Sequence, residues 1–334
     1  MHFDKRREYI LSIFYNFLIR IVTIFIPSKK LRQEFRKRHL KRTTTLADIL
    51  NTLMSTGNVS KIEKLLRIII QANPNFYKAS GPLKIIQKAD LIFMNEILKA
   101  FDKHNIKYAL MGGCLLGAYR HKGFIPWDDD IDLMMLREDY DKVQDILNHE
   151  FKKNNNVYMT KGDAIRIFFR NTPLQIDIFP FDLYNKYLEN IDERKALSIK
   201  IENESKKIKY DFSRETTGNT IINKSWEEIE SKRNELLHTD IVTEKKMIVY
   251  GLECIGKKPG VFDYDWVFPL KKYNFEDIEI FGPNRPEPIL YWCYEDWSEI
   301  RFFDKPEHCM MKKRLNSIAI DIMLKIIETN SINL

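Results

Sequence analysis

Cysteine is scarce: Cys114, Cys254, Cys293 and Cys309 are the four in 334 residues, none pairs as C-x-x-C, and no histidine stands at zinc-finger spacing from them. Size and density argue against a disulfide framework. The pattern predicts reduced thiols in a cytoplasmic compartment and no structural zinc on the cysteines. Internal repeats and low-complexity tracts are absent as well. What remains is a globular composition, 44% hydrophobic and 30% charged, long enough for one large catalytic domain or a medium one with appended helices.

A basic body is also missing. The net charge is +7, but residues 1–42 hold twelve Lys/Arg against three acids, a local +9, so the other 292 residues sum to −2. Nucleic-acid-binding bodies are usually basic themselves, so no nucleic-acid partner is expected. A localised basic segment suits an anionic surface such as lipid headgroups. Within it, Tyr9 to Ile26 is apolar except for a stripe made by Ser12, Asn16, Arg20 and Thr23. As a helix the run is about 27 Å long, marginal for a bilayer span. Pro27-Ser28-Lys29-Lys30 follows it, not a small-residue cleavage site. The expectation is peripheral contact of residues 5–42 with the inner face of the cytoplasmic membrane. Packing on the domain's own core and a true span are the alternatives.

Residues 1–80 are expected to form a basic amphipathic helical segment, and 81–334 a catalytic domain with a helical C-terminal part. Leu83 to Phe101 has helical periodicity through Ile86, Ala89, Asp90, Phe93, Ile97 and Ala100. Short strands are predicted at Lys107–Met111, Ile131–Met135, Val157–Thr160, Ala164–Phe169 and Leu174–Phe179, with a helix from Arg137 to Phe151. Charged helical sequence fills 186–212 and 224–238, 262–304 is aromatic and mixed, and Pro306 to Ile327 reads as a closing helix.

The chemistry concentrates between Met111 and Tyr140. Asp130 and Asp132 flank Ile131, so on a strand both carboxylates project from one face. Side-by-side carboxylates repel unless a cation lies between them, and hard oxygen donors suit Mg²⁺ or Mn²⁺. Gly112-Gly113 follows a strand and lets the backbone approach a phosphate, with a helix N-terminus near Cys114 adding positive potential. Asp177, between Ile176 and Ile178, joins the group if its strand neighbours the first. It could complete the metal site or take a proton from an attacking hydroxyl. Asp128 and Asp129 read equally well as a solvated turn.

The order strand, Gly-Gly, helix, D-x-D strand, further strand Asp is that of the polymerase-β-like nucleotidyltransferases. The stretch G-C-L-L-G-A-Y-R-H-K-G-F-I-P-W-D-D-D-I-D-L resembles the signature of the LicD family, which includes bacterial phosphocholine transferases and the animal fukutin-related proteins. Arg137-Glu138-Asp139-Tyr140 and I-D-I-F-P at 176–180 match it too, with weaker similarity at 268–277 and 291–297. Gly113 stands where the family often has Thr or Ser, leaving only backbone donors for phosphate there.

The resemblance implies an α+β nucleotidyltransferase fold, a mixed central sheet flanked by helices, with added N- and C-terminal helices. It implies transfer of a phosphocholine, phosphoethanolamine, ribitol-phosphate or glycerol-phosphate group from a CDP-linked donor to a sugar hydroxyl of a glycan acceptor. That glycan would be of the lipopolysaccharide, capsule or teichoic-acid type. It implies Mg²⁺ or Mn²⁺ on Asp130, Asp132 and Asp177, and donor phosphates near Gly112, Gly113, Arg120, His121 and Lys122. Arg166 and Arg170 are further phosphate candidates, and Trp127 a pocket wall. The rival readings are a nucleotidyltransferase acting on a protein or small molecule and a non-catalytic nucleotide-binding scaffold. A choline headgroup would ask for an aromatic cage, for which Trp266, Tyr291, Trp292, Tyr294 and Trp297 are available.

Overall fold

Pro82 opens the first described helix, α1 (Pro82–Lys103), where its missing N–H costs nothing and its fixed φ suits a helix start. One face of α1 is wholly buried through Leu83, Ile86, Ala89, Phe93, Ile97 and Phe101, as the periodicity predicts. Asp90 lies on that same face and is fully buried. A computed structural model describes residues 79, 81–126, 128–207, 214–217, 220–223, 226–254, 260–297 and 315–333. The basic N-terminal segment with its expected membrane contact, Trp127, and most of the loop at 256–260 lie outside those residues.

After α1 come β1 (Ala109–Leu110), α2 (Gly112–His121), β2 (Ile131–Leu136), α3 (Arg137–Glu150), β3 (Val157–Lys161), β4 (Ile165–Phe169) and β5 (Gln175–Tyr184). The second half adds α4 (Ile191–Ser205), β6 (Arg214–Thr217), β7 (Thr220–Asn223), α5 (Trp226–Leu237), β8 (Met247–Tyr250) and β9 (Val261–Asp263). It ends with α6 (Tyr264–Val267), β10 (Lys271–Phe275), β11 (Ile278–Gly282), α7 (Pro286–Tyr294) and α8 (Ser317–Thr329). The architecture is α+β. One nine-stranded mixed sheet runs β1-β2-β5-β4-β3-β7-β6, with β8 pairing β5 and β9 pairing β8, and β10–β11 is a separate hairpin.

The sheet turns on β5. It pairs in parallel with β2 over Ile176–Phe181 and antiparallel with β4 over Gln175–Ile178. Beyond that point it exchanges β4 for β8, over Phe181–Tyr184. Pro180, which has no N–H to give a ladder, falls in the gap between those two partners. The predicted strand ended at Phe179; the observed one continues to Tyr184, because β8 supplies a new edge that sequence periodicity does not announce. The last helix starts at Ser317, where Asn316 accepts a 2.8 Å cap bond from the Ala319 N–H. Its predicted residues at 306–314 lie outside the described ones.

Two buried charge arrangements stand out. Arg137, the first residue of α3, donates to both oxygens of Asp182 (2.8 and 3.1 Å) and both of Glu253 (2.7 and 2.9 Å). Its guanidinium also lies 5.2 Å from the ring centre of the fully buried Tyr140. The Arg-Glu-Asp-Tyr motif is therefore a fastening of α3 to β5 and to the turn after β8. Asp90 is the opposite case. Neither oxygen finds a hydrogen-bond partner of ordinary geometry among the described residues. Burial pushes its carboxyl well above the usual range, Asp129 and Asp130 push it further, and the Gln175 backbone N–H only partly opposes them.

Two outcomes follow from these clusters. Arg137→Met removes the guanidinium that bridges the buried Asp182 and Glu253 and should cost about 3–5 kcal/mol in urea unfolding, with Arg137→Lys recovering only part. For Asp90, the folded state keeps a proton that the unfolded chain releases above the ordinary value of 3.8. Stability is therefore lost as pH rises through that value towards the raised one. Asp90→Asn should gain stability over wild type at pH 8 and little at pH 3.5; an equal difference at both would sink this reading.

Candidate functional site

The loop into β2 is held from three sides. Gln87 on α1 donates to the carbonyls of Ile125 (3.2 Å) and Asp128 (2.8 Å). Glu276, at the tip of the β10–β11 hairpin, accepts from the Phe124 N–H at 3.1 Å and gives its own N–H to the Lys122 carbonyl. The buried Cys114 thiol lies 3.5 Å from the Asp130 carbonyl and accepts from the Asp132 N–H at 3.4 Å. Cys114 is thus a backbone support for the D-x-D segment, with its thiol pushed up by burial and by Asp128 and Asp132.

The two glycines sit where carboxylates press on the start of α2. A Cβ on Gly112, whose φ is +55°, would collide with the Asp132 carboxylate, and one on Gly113 with that of Asp128. Glycine is required here for closeness as well as for the left-handed backbone at Gly112. The N-terminal end of a ten-residue helix, with its partial positive charge, faces these acids.

Asp132 and Asp177 are direct register partners on the parallel strands β2 and β5, so they share one face of the sheet. On the other side of β5, Arg166 of β4 is the register partner of Asp177. Arg166 Nε donates to Asp177 Oδ2 at 3.2 Å, and the same guanidinium is clamped by Asp163. Gln175 Nε2 donates to the other Asp177 oxygen at 2.6 Å. Burial raises the Asp177 carboxyl to about 6 against the pull of Arg166 and Gln175. Burial, with Asp130, Asp132 and Asp129, also pushes Asp128 well up.

These carboxylates are the right donors for a hard divalent cation, because their negative charge is concentrated on oxygen; Arg166 lies directly on Asp177. No three of them bring oxygens within 4.8 Å of one another among the described residues. Asp177 turns its oxygens to Arg166 and Gln175.

The expected phosphate cations are dispersed. Arg166 is engaged by Asp163 and Asp177, so it organises the acids. Arg170 donates to the Asn155 carbonyl and lies over Tyr158. Arg120, His121 and Lys122 end α2, about 12–15 Å from Gly112 at ~1.5 Å per residue. Arg120 donates to the Trp297 carbonyl at 3.0 Å and to His121 Nε2 at 3.0 Å, and burial lowers it to about 10. Lys122 is exposed and donates to the Tyr119 carbonyl.

Sequence reasoning passed over several neighbours of the acids. Asp128, read as a possible turn residue, is packed against Gly113. Gln175 holds Asp177, and an amide two residues from an acid on one strand face was the available signal. Tyr294 of α7 feels Asp132 and Asp128 after the larger effects of burial and Cys293. Tyr250 of β8, whose ring lies 4.5 Å from that of Phe181, feels Asp132 and Asp177 after burial and Cys254. Nothing in a single strand's pattern announces such long-range neighbours.

Comparison with known proteins matches residues 105–214 to the LicD/FKTN/FKRP nucleotidyltransferase domain. The chain is 37% identical over 98 residues to the lipopolysaccharide cholinephosphotransferase LicD of Haemophilus influenzae, covering 24% of this chain and 37% of that one. It is 32% identical over 92 residues to mouse ribitol 5-phosphate transferase FKRP, covering 25% of this chain and 19% of that one. An uncharacterised protein of Rickettsia prowazekii is 25% identical over 214 residues, 64% of this chain and 56% of its own. The matches thus span between a fifth and just over half of these relatives' lengths. Motif and matched domain coincide on β2, β5 and the start of α2, and over residues 105–214 the chain is similar to the LicD family.

Proposed function

We propose that this protein transfers a phosphate-linked group, of the phosphocholine or alditol-phosphate kind, from a CDP-activated donor to a sugar hydroxyl of a glycan on a nucleotidyltransferase-type fold. The observation that carries the reading is the Asp132–Asp177 register pair, with Asp132 against the Gly112 start of α2. The named relatives, a cholinephosphotransferase and a ribitol 5-phosphate transferase, support the class of group moved.

Asp130 and Asp132 are the residues that would hold Mg²⁺ or Mn²⁺, with Asp128 beside them. The metal's chemistry is to neutralise charge on phosphate oxygens. The acceptor hydroxyl oxygen bonds to the donor phosphorus distal to cytidine, the bond from that phosphorus to the bridging oxygen breaks, and CMP leaves with the bridge. Asp177, held by Arg166 and Gln175 and raised to about 6, is ionised at neutral pH yet basic enough to take the hydroxyl proton. The N–H groups at the start of α2 face the same space and favour negative charge.

Purified protein given Mg²⁺ or Mn²⁺, a glycan acceptor, and CDP-choline, CDP-ethanolamine, CDP-ribitol or CDP-glycerol should release CMP from one donor. Asp132→Asn and Asp177→Asn should each lower that rate at least about a hundredfold, the scale of a lost acid–base or electrostatic group. Full turnover in a folded Asp132→Asn variant would end the proposal. Gly112→Ala tests the geometry separately: it strains a left-handed backbone and displaces the Asp132 carboxylate. Turnover should fall, and more divalent metal should be needed for half-maximal rate, while circular dichroism stays native.

A further inference from the structure

Away from the carboxylate face, α1 and α3 end side by side. His104 is the cap residue after α1, and His149 and Glu150 are the last two residues of α3. His104 Nε2 lies 2.8 Å and His149 Nδ1 lies 3.3 Å from Glu150 Oε1. All three ligand atoms fall within 4.8 Å of one another, which no other set of three His, Cys, Asp or Glu does among the described residues. We propose that His104, His149 and Glu150 form a second divalent-metal site, taking zinc or a similar late first-row ion, that ties the ends of α1 and α3 together.

The chemistry of the donors selects the ion. Two imidazoles and one carboxylate are the mixed N/O set that zinc accepts, and Mg²⁺ prefers oxygen alone. Zinc–ligand bonds of about 2.0–2.2 Å put tetrahedral ligand atoms roughly 3.3–3.5 Å apart, so small side-chain shifts close the shell. Both helices present their C-terminal ends here, and the partial negative charge of each favours a cation. A cavity of about 700 Å³, lined by Lys103, Glu150, Asn154, Asn155 and Asn156, opens beside Glu150 and gives an ion access.

Lys103 is the competitor. Its ammonium lies 2.8 and 2.9 Å from the two Glu150 oxygens. Its side chain is 63% exposed, so it can swing into water when a metal takes Glu150. The site is separate from the D-x-D segment: α1 reaches that segment through Gln87, and Gln87 to His104 is roughly 25 Å along the helix. The inference therefore does not rest on the proposed transferase activity.

The test is zinc titration calorimetry on the full chain, with Mg²⁺ in excess to occupy the carboxylate face, alongside thermal unfolding. Wild type and Asp130→Asn/Asp132→Asn should bind zinc and unfold at a higher temperature with it. His104→Ala/His149→Ala should lose at least about tenfold in affinity, together with the thermal gain. His149, 77% exposed, can be changed alone to alanine should the double variant fail to fold. Zinc binding as tight in the histidine variants as in wild type, or no zinc binding by wild type, would overturn the proposal.

Discussion

Asp132 and Asp177 stand opposite each other on neighbouring strands, and like charges at a strand spacing of about 4.8 Å repel by about 3 kcal/mol at an effective dielectric constant of 20. A sheet that accepts this cost must compensate it nearby. Arg166 does so from the next strand, on the Asp177 side, with Asp163 holding its other end. On the β2 side the start of α2 adds partial positive charge, and Asp128 is pushed up by burial and its acid neighbours. The acids thus meet a guanidinium on one flank and a helix end on the other, and on the proposed reading a divalent cation would add to the second.

Arg137 shows how the same fold treats acids that have a purely structural task. Asp182 lies five residues beyond Asp177 on β5, yet it meets a guanidinium whose donors are shared between it and Glu253. The face that fastens α3 is given a bidentate partner for each acid, and on the proposed reading the opposite face carries the chemistry. Both belong to one continuous stretch of sequence, Asp130 to Tyr140, so a single motif encodes two different physical roles.

Much of this was legible in the sequence, for identifiable reasons. The spacing of Asp130 and Asp132, the glycine pair and the strand around Asp177 are local patterns, and the elements they predict stand at β2, α2 and β5. Asp90 was visible as an acid on the core face of a helix, but its nearness to Asp129 and Asp130 comes from how α1 packs. Arg166 was read as a phosphate ligand because a cation on a nearby strand fits that role. The antiparallel register of β4 on β5 also puts it on Asp177, and register is a tertiary quantity. The extension of β5 to Tyr184 was missed for the same reason, since β8 lies more than sixty residues further on.

The site also reaches beyond the matched domain, which ends at residue 214. Arg120 is anchored by the carbonyl of Trp297, Tyr119 donates to Glu287 at 2.6 Å, and Tyr294 and Tyr250 both feel the acids. All of these partners come from the second half of the chain. On the proposed reading, residues 105–214 provide what any phosphate-linked donor requires: carboxylates, a helix start and a base. Such groups respond to phosphate and metal, and choline, ribitol and glycerol are alike to them. Contacts able to distinguish those head groups must be large, shaped and partly apolar. Among the described residues, Tyr250 of β8 and Tyr294 of α7 have that character and feel the acids.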